Sequence, residues 1–485
     1  MLSRGTPVSE TGSEPGRPAG RAVLALLLAT LMQAFDATIV NVALPSVQRA
    51  LAIDTAAAGW VVTTYLVATS ATMPVVGWLR LRFGREPLFV GAVAGFAVAS
   101  VLCALAPSVL ALVAARALQG ACAGVILPLT QALLLDLYPK REHPVILSRW
   151  GSTIVIGPII GPLLGGALTE LGSWSWIFYV NVPICALALL GVRGALRSAP
   201  RAADTPRAKF DLTGIALLVL TVTAFQLLLQ NAAGLGRSAS SDWIAEAALT
   251  LAGVVLLLRH LERSASPVID LHLFRDRNFA GAVLINVVVG AIFFATITLV
   301  PSLVEGPLGH DAMMAGALMA PRGLATMAAM LLAGQLLKRI DPRLFVLLGL
   351  LVTMAALAMF AATDTESGIV WLVAASLVLG IGAGCLITPL SVLTFLTVLP
   401  ASRTEAAGLY NLARQLGSAL GVAGVTAVVA TMAPARLIGA GGVTGYYTAF
   451  LVLILLAMLA IPAIALFRIQ APAPTDPAAS TEVET

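Results

Sequence analysis

About fourteen apolar runs follow one another along this chain, and each is long enough to cross a lipid bilayer. A membrane-spanning helix needs about 20 predominantly apolar residues. Only 11% of the 485 residues are charged, against about 25% in soluble proteins, so a polar surface for a water-soluble fold is missing. The sequence therefore predicts an all-α integral membrane protein. The runs cover residues 22–45, 56–79, 87–106, 108–135, 145–169, 176–196, 211–231, 243–261, 279–303, 313–337, 344–362, 369–396, 405–433 and 445–467.

Lys and Arg residues cluster in alternate connections between these runs, on the same side as both termini. Two of the basic connections span residues 80–85 and 338–343, while the opposite connections carry acidic residues such as Glu170 and Glu305. Cytoplasmic loops of membrane proteins carry the excess of Lys and Arg. We therefore expect a multi-pass protein with both termini in the cytoplasm. The same clusters account for the net charge of +5, so no nucleic-acid partner is expected.

Cysteine and histidine give no sign of a metal site or of a disulfide framework. The four cysteines stand singly within apolar runs, and the four histidines are scattered among the connecting segments. Metal sites and disulfide scaffolds need these residues at characteristic spacings. No nucleophile or metal-protease motif occurs either. We expect neither an enzyme nor a bound cofactor or metal.

Two pairs of similar segments indicate an internal repeat. GWLRLRFGREPLFV begins at Gly77 and GQLLKRIDPRLFVL at Gly334, 257 positions later (334 − 77). GVILPLT begins at Gly124 and GCLITPLS at Gly384, an offset of 260 (384 − 124). The offset pairs the first six spans with the last six and leaves the seventh and eighth inserted between them. Parallel halves of this kind occur in transporters, which bind their substrate between the halves.

The repeat and the composition together predict five segments. Two six-helix halves flank a linker with two inserted transmembrane helices. Both terminal segments are expected to be disordered because they are rich in Pro, Gly, Ala, Ser and Thr, and cytoplasmic because of the Lys and Arg distribution. The predicted boundaries are 1–20, 21–197, 198–278, 279–468 and 469–485.

Four charged side chains fall deep inside the apolar runs. They are Asp36, Arg116, Arg322 and Arg414. A charge at the centre of a spanning helix costs about 2.5–3.5 kcal/mol, so each is a candidate for function. Asp36 precedes Pro45 by nine residues and Arg116 follows Pro107 by nine. At about 1.5 Å per residue both lie roughly 13 Å below the same surface, and we predict that they are near neighbours.

Asp36 and Arg116 form the predicted proton-coupling pair. Burial and a nearby guanidinium act on the proton affinity of a carboxylate in opposite directions, whereas Arg keeps its proton. Protonation of Asp36 would leave Arg116 unpaired and able to attract a substrate or another partner. The alternative is a static ion pair that fixes two helices.

The predicted substrate cavity combines the two remaining deep arginines with neighbouring amides. Its residues are Arg322, Asn411, Arg414 and Gln415. One carboxylate among several guanidinium groups favours an anionic or weakly acidic amphiphile over a dication. The alternative is that these arginines bind loop carboxylates or backbone carbonyls.

The fifth run contains GPIIGPLLGG, in which small residues recur every four positions. The residues concerned are Gly157, Pro158, Gly161, Pro162, Gly165 and Gly166. Such spacing lets helices approach closely. One interpretation is tight packing alone. The functional interpretation is a close seam between the two halves that resists proton leakage.

Several of these motifs together resemble the fourteen-span drug:proton antiporters of the major facilitator superfamily, the EmrB/QacA type. LMQAFDATIVNVALPSVQRAL resembles their first-span motif, GWLRLRFGRE motif A, ARALQG motif B, GPIIGPLLGG the antiporter motif C, and WSWIFYVNVP the start of their sixth span. Motif A usually has an acidic residue where Leu81 stands, and that residue helps to latch the two halves. The latch is therefore not carried over, and the chain is closer to the EmrB-like branch. The motif A residues that remain, and that imply a conformational role, are Gly77, Arg82, Gly84 and Arg85.

The resemblance implies a major facilitator fold and proton-driven export of hydrophobic or amphiphilic toxic compounds across the bacterial cytoplasmic membrane by alternating access. The implied partners are hydrophobic small molecules, protons and membrane lipids, with a membrane-fusion adaptor and an outer-membrane channel in Gram-negative relatives. Two alternatives share the fold: an exporter of a lipid or endogenous metabolite, and a symporter or facilitator.

Overall fold

The computed structural model describes residues 20–171, 173–192, 211–233, 242–264, 267–364, 367–432 and 440–468. Within these ranges the chain consists of α-helices and short 3-10 turns, without a β-strand. Thirteen of the described segments are long and apolar enough to cross a membrane, and a shorter apolar segment, Trp176–Val192, accompanies them. The predicted all-α membrane fold is therefore confirmed.

The α-helices of the described ranges fall into three consecutive groups, an N-terminal half (α1–α8), an inserted hairpin (α9 and α10) and a C-terminal half (α11–α17). Their bounds are α1 Gly20–Leu51, α2 Thr55–Thr72, α3 Val76–Phe83, α4 Arg85–Ala104, α5 Val109–Leu137, α6 His143–Leu171, α7 Trp176–Tyr179, α8 Asn181–Val192, α9 Leu212–Ala233, α10 Asp242–Arg263, α11 Arg277–Glu305, α12 Ala312–Ala317, α13 Met319–Leu336, α14 Pro342–Ala361, α15 Ile369–Leu396, α16 Arg403–Met432 and α17 Ala440–Ala460.

Several predicted features fall outside the described ranges. The terminal segments 1–19 and 469–485 do so, as do residues 193–210, which include the end of the sixth predicted span and most of the linker. The five segment boundaries stay a prediction.

The helices present two polar ends, which we name by their charges. The basic face carries the α3–α4 and α13–α14 connections with Arg82, Arg85 and Lys338, and the acidic face carries Glu170 and Glu305. On the acidic face, Asp54 begins α2 by accepting a hydrogen bond from the Ala57 N–H at 2.7 Å. Asp311 begins α12 in the same way with the Met314 N–H at 2.8 Å. Such N-caps satisfy amides that have no partner within the helix.

Each half has a large buried cluster of its own helices, and the two halves have similar internal crossings. Phe89 and Phe96 lie in one cluster, and Phe360 stacks on Phe450 in the other with ring centroids 5.5 Å apart. The glycines of the second repeat pair occupy corresponding crossings. A Cβ on Gly124 of α5 would lie 2.5 Å from the Thr69 carbonyl oxygen of α2, and one on Gly384 of α15 would lie 2.6 Å from that of Thr326 of α13. The repeat seen in the sequence therefore has a structural counterpart.

The inserted hairpin packs on both halves. Helix α9 lies against α2 of the N-terminal half and α16 of the C-terminal half. Leu218 and Val222 of α9 share a buried cluster with Val75 and with Ala406 of α16. The hairpin is therefore in contact with both halves, and any movement of one half relative to the other must involve it.

Asp211, just before α9, ties the hairpin together at the basic face. It accepts hydrogen bonds from the Gly214 N–H at 2.8 Å, from His260 Nε2 at 2.7 Å and from the Val268 N–H at 3.1 Å. Partial desolvation favours the neutral acid, but the three hydrogen bonds outweigh it and hold the pKa of Asp211 below its usual value. A depressed carboxyl pKa stabilises the fold above the unfolded pKa of about 3.9, and this contribution is lost as the pH falls through the folded value.

We expect Asp211→Asn to lower the thermal unfolding midpoint of the purified protein at pH 7. The difference from wild type should shrink below about pH 4, where the wild-type carboxyl also becomes neutral. Tryptophan fluorescence during heating at several pH values measures both effects. Asp341→Asn is the matched control. The Asp341 side chain caps α14 by accepting a hydrogen bond from the Arg343 N–H at 2.8 Å, and Asn is an equally good helix cap. A difference that does not change with pH would contradict an electrostatic role for Asp211.

Candidate functional site

A buried ion pair joins α1 to α5 within the N-terminal half. Arg116 Nη1 lies 2.8 Å from Asp36 Oδ2, and the two side chains are 1% and 0% exposed. The predicted proximity of these residues is therefore present in the structure. Their role in proton coupling stays a prediction.

Two amide side chains complete the surroundings of the Asp36 carboxylate. Gln119 Nε2 donates to Asp36 Oδ1 at 2.9 Å, and Asn181 Nδ2 donates to the same oxygen at 2.7 Å. Ser100 accepts from Gln119 at 2.8 Å. These residues come from α5, α8 and α4, and all three are buried. The site thus assembles four helices around one carboxylate.

Arg116 is held on all sides. Its Nε donates to the Val61 carbonyl oxygen at 3.2 Å, and its Nη1 also donates to Gln119 Oε1 at 2.6 Å. The guanidinium carbon lies 4.0 Å from the centre of the Tyr65 ring, a cation–π distance. The arginine therefore keeps several partners if Asp36 loses its charge.

Motif C packs on the helix that carries Asp36. A Cβ on Gly157 of α6 would lie 2.5 Å from the Ala34 carbonyl carbon of α1. Gly161 and Gly165 face Thr38 and Ile39 of α1 in the same way, whereas Gly166 has open space around its Cα. The side chain of Pro162 lies outside the described part of the chain.

This corrects the functional interpretation of motif C as a seam between the halves. Three of its four glycines, Gly157, Gly161 and Gly165, close a crossing inside the N-terminal half, because they face α1. The opposite side of α6 makes the contact between halves. A Cβ on Gly334 of α13 would lie 2.6 Å from Ser148 Cβ, and one on Gly323 of α13 would lie 2.5 Å from Ile159 Cγ1.

A small central cavity of about 50 Å³ lies between the halves. Trp150 and Pro158 of α6 form one wall, and Phe293, Tyr410 and Arg414 belong to the other half. No acidic side chain lines this cavity in the part of the chain that the structure describes. The one charged group facing it is therefore a cation, Arg414.

The four predicted cavity residues have different surroundings. Arg322 donates to the Phe293 carbonyl oxygen at 2.9 Å and lies 4.7 Å from its ring centre, while its Nη1 has no partner among the described residues. Asn411 donates to Gln131 Oε1 at 2.9 Å, and Gln415 donates to the Leu66 carbonyl oxygen at 3.1 Å. The two amides thus tie α16 to the N-terminal half.

A second set of contacts joins the halves at the basic face. Asp136 Oδ2 lies 3.1 Å from Arg85 Nη2, and its Oδ1 lies 2.9 Å from Arg403 Nη1 of α16. Arg80 donates to the Ala401 carbonyl oxygen. We call Arg80, Arg85, Asp136 and Arg403 the basic-face latch. It is present although Leu81 replaces the acidic residue usual in motif A.

The motif A residues surround this latch. Gly84 adopts φ 84°, which favours glycine, and it ends α3. Gly77 lies against Glu405, so that a Cβ would be 2.9 Å from Glu405 Cβ. Glu405 accepts a hydrogen bond from the Asp270 N–H at 2.7 Å, which links α16 to the segment after the hairpin. Arg82 is exposed.

The sequence matches the Major Facilitator Superfamily over residues 26–422. This chain belongs to that superfamily. The matched range includes the Asp36–Arg116 pair, the latch and the central cavity. Within the superfamily, the chain is similar to the multidrug export protein EmrB of Escherichia coli K12, with 31% identity over 84% of this chain and 79% of the relative. EmrB of Haemophilus influenzae is 34% identical over 82% and 78%. The resemblance to EmrB-type proteins is therefore confirmed.

Two further matches are informative. The fatty acid resistance protein FarB of Neisseria gonorrhoeae is 31% identical over 83% of this chain and 79% of its own length. The crystal structure of the human organic anion transporter MFSD10 covers 93% of this chain and 100% of its own, with a TM-score of 0.67 and 15% identity. At that identity the structural match establishes the major facilitator fold alone.

Sequence reasoning missed several residues that this superfamily member places in its buried networks. Gln119 stands three positions after Arg116, which puts both on one helix face, and Asn181 lies within the WSWIFYVNVP segment. The spacing of Gln119 from Arg116 and the place of Asn181 in this segment could therefore have identified both residues from the sequence. The Asp136–Arg403 contact joins residues 267 positions apart, and no local sequence pattern predicts it.

We expect Arg403→Gln to loosen the basic-face latch. Hydrogen bonds to charged groups contribute about 1.5–3 kcal/mol, so the ratio of closed to open molecules should fall about tenfold or more. Spin labels at Leu81 and Leu399, which are 51% and 71% exposed on opposite halves, measure the distance distribution across this face. Arg339→Gln, at an exposed position of the same face, is the control. Identical distributions in both variants would contradict the latch.

Proposed function

We propose that this chain is a proton-coupled antiporter that exports hydrophobic or amphiphilic toxic compounds by alternating access. The observation that carries the proposal is the fully buried Asp36–Arg116 pair, placed on a helix whose neighbour α6 also lines the central cavity. The names of the EmrB relatives support multidrug export as the process.

Asp36 is the proposed proton carrier. As an anion it accepts one hydrogen bond from Arg116 and two from the amides of Gln119 and Asn181. A proton on this carboxyl removes its charge and weakens these charge-assisted bonds, which are about twice as strong as neutral ones. Asn181 Oδ1 has no partner in the described residues, and rotation of this amide would offer an acceptor to the protonated acid.

Helix α6 is the proposed mechanical link between proton and substrate. On one side Gly157 touches Ala34, two positions before Asp36. The next residue, Pro158, lines the central cavity. Because backbone is packed against backbone at Gly157, a shift of α1 on protonation moves the wall of the cavity. In this proposal α6 is the two-state element that both sites bias.

The cationic cavity supports an anionic or weakly acidic amphiphile as the preferred substrate. Arg414 faces the cavity. Arg322 lies next to it, because it donates a hydrogen bond to the backbone carbonyl oxygen of Phe293, a residue of the cavity wall. When the halves separate and widen this cavity of about 50 Å³, its aromatic and aliphatic lining would contact the apolar body of the substrate, and the guanidinium would bind a carboxylate or similar head. The fatty acid resistance protein FarB among the relatives supports the same substrate class.

We place the basic face in the cytoplasm of a bacterium, with both termini there, because of the excess of Lys and Arg. A membrane-fusion adaptor and an outer-membrane channel are proposed partners if the host is Gram-negative. The proton gradient is the proposed energy source, with no bound cofactor. It supplies about 2.3 kcal/mol per charge per 100 mV and about 1.4 kcal/mol per pH unit.

The test uses the purified full-length chain in liposomes with an imposed pH gradient. We expect uptake of a fluorescent amphiphile against its own gradient, loss of that uptake when the pH gradient is dissipated, and acidic amphiphiles to be preferred over cations of similar size. Growth of an efflux-deficient bacterium on toxic amphiphiles provides the cellular measurement. Transport in the same direction as the protons would favour a symporter, and transport independent of them a facilitator.

A further inference from the structure

A second cavity, of about 430 Å³, lies between the halves at the basic face. The start of α6 forms one wall, and the ends of α13 and α15 form the other. Its residues differ from those of the central cavity. The volume falls within the range of about 300–1,000 Å³ that is usual for small-molecule sites. We call it the basic-face cleft.

The rim of the cleft is cationic. Lys140 and Arg141 lie in the short 3-10 turn just before α6, and Lys338 lies opposite them after α13. All three are exposed. The one acidic residue of the lining is Glu142, which lies 3.9 Å from Arg141. The described lining therefore carries two positive charges in excess, counted as three cations and one anion.

The interior of the cleft is apolar. Val392, Phe395 and Leu396 of α15 face Leu147 of α6. Leu396, the last residue of α15, is 40% exposed, whereas Phe395 is 3% exposed, so the apolar wall is accessible mainly at Leu396. The cleft thus combines a positively charged rim at the ends of the spanning helices with an apolar inner wall.

We propose that the basic-face cleft binds one anionic phospholipid from the surrounding bilayer. Its phosphate lies on Lys140 and Lys338, and part of one acyl chain lies on Val392, Phe395 and Leu396. Charge complementarity argues for an anionic headgroup, and the position at the ends of spanning helices matches the headgroup layer of the bilayer. The apolar wall argues against a free inorganic anion as the occupant.

The bound lipid would touch both halves at once. Lys140 belongs to the N-terminal half and Lys338 to the C-terminal half, and the basic-face latch joins the same halves. A lipid that bridges the cleft therefore stabilises the state in which the basic face is closed. The proposal goes beyond export, because its test measures binding without any transport.

Native mass spectrometry of the purified chain, titrated with phosphatidylglycerol or phosphatidylcholine, tests the proposal. A Lys near an anionic lipid contributes about 1 kcal/mol, or about fivefold in affinity. The Lys140→Gln/Lys338→Gln pair should therefore bind the first phosphatidylglycerol roughly 25-fold more weakly. The matched control is Arg259→Gln/Arg339→Gln, which removes the same charge from exposed positions of the same face and should bind as wild type does.

A second variant separates the cleft from general surface attraction. Val392→Trp fills the apolar wall and leaves every charge in place, so it should also lose the first lipid. Inorganic phosphate at millimolar concentration should not displace that lipid. Equal binding by the two charge pairs, equal binding of phosphatidylcholine, or displacement by phosphate would each overturn the proposal.

Discussion

Asp36→Asn is expected to abolish proton-driven export and to destabilise the N-terminal half. The amide cannot carry the proton, and Arg116 keeps its charge without a counter-ion at a position that is 1% exposed. Breaking a buried pair by removing one partner costs about 3–5 kcal/mol. Uptake into liposomes under a pH gradient should fall to background, and the thermal unfolding midpoint should drop in the same preparation.

The double variant Asp36→Asn/Arg116→Gln distinguishes proton coupling from a static ion pair. It removes the uncompensated charge, so most of the lost stability should return. Transport should stay absent if Asp36 carries the proton. Recovery of gradient-driven transport by the stable double variant would show that the pair only fixes α1 to α5. Asp54→Asn is the control, because Asn is an equally good N-cap at this exposed site on α2.

Gly157→Ala is expected to produce the second large effect. The new methyl group would stand 2.5 Å from the Ala34 carbonyl carbon, and a backbone neighbour cannot rotate away. Overpacking typically costs about 1–3 kcal/mol, and here it separates α1 from α6 beside the proposed proton carrier. We expect a lower unfolding midpoint and a fall in the maximal transport rate, measured in detergent and in liposomes.

Gly166→Ala provides the matched control for this prediction. It lies on the same helix and in the same motif, but a Cβ there meets nothing within 4 Å. Its stability should equal that of wild type or exceed it slightly, because Ala favours helix more than Gly. Equal losses in the two variants would mean that helix flexibility, and not the α1–α6 contact, explains the need for glycine in motif C.

The positions of residues along the membrane normal were predictable from the sequence. Counting the rise per residue from Pro45 and Pro107 placed Asp36 and Arg116 at one depth, and their side chains meet. The predicted end of the first span at Pro45 was wrong, because α1 continues through Pro45 to Leu51. The rotation of each helix about its own axis was harder to predict from the sequence. In a bilayer, lipid-facing and buried surfaces are both apolar, so hydrophobicity does not show which side of α6 faces α1. For this reason, one of the two interpretations of motif C placed its glycines between the halves, whereas three of them face α1.

The latch was unpredictable for a related reason. Motif A drew attention to the position of Leu81, but the charge that joins the halves is Asp136, at the end of a different helix. Asn411 and Gln415 were assigned to a cavity because they are polar, although they bind Gln131 and the Leu66 backbone. Pairing across the two halves depends on how the halves dock, which local patterns do not encode.

The separation of the Asp36 network from the Arg414 cavity has a consequence for how such a protein diversifies. None of Asp36, Arg116, Gln119 and Asn181 lines the cavity. If the proposed roles hold, substitutions on α11, α15 and α16 would alter the range of exported compounds without changing the residues proposed to bind the proton. For the same reason, we expect resistance to an inhibitor bound at Arg414 to arise more readily than resistance to one bound at the α1–α6 crossing, where substitutions would also affect the proposed proton carrier.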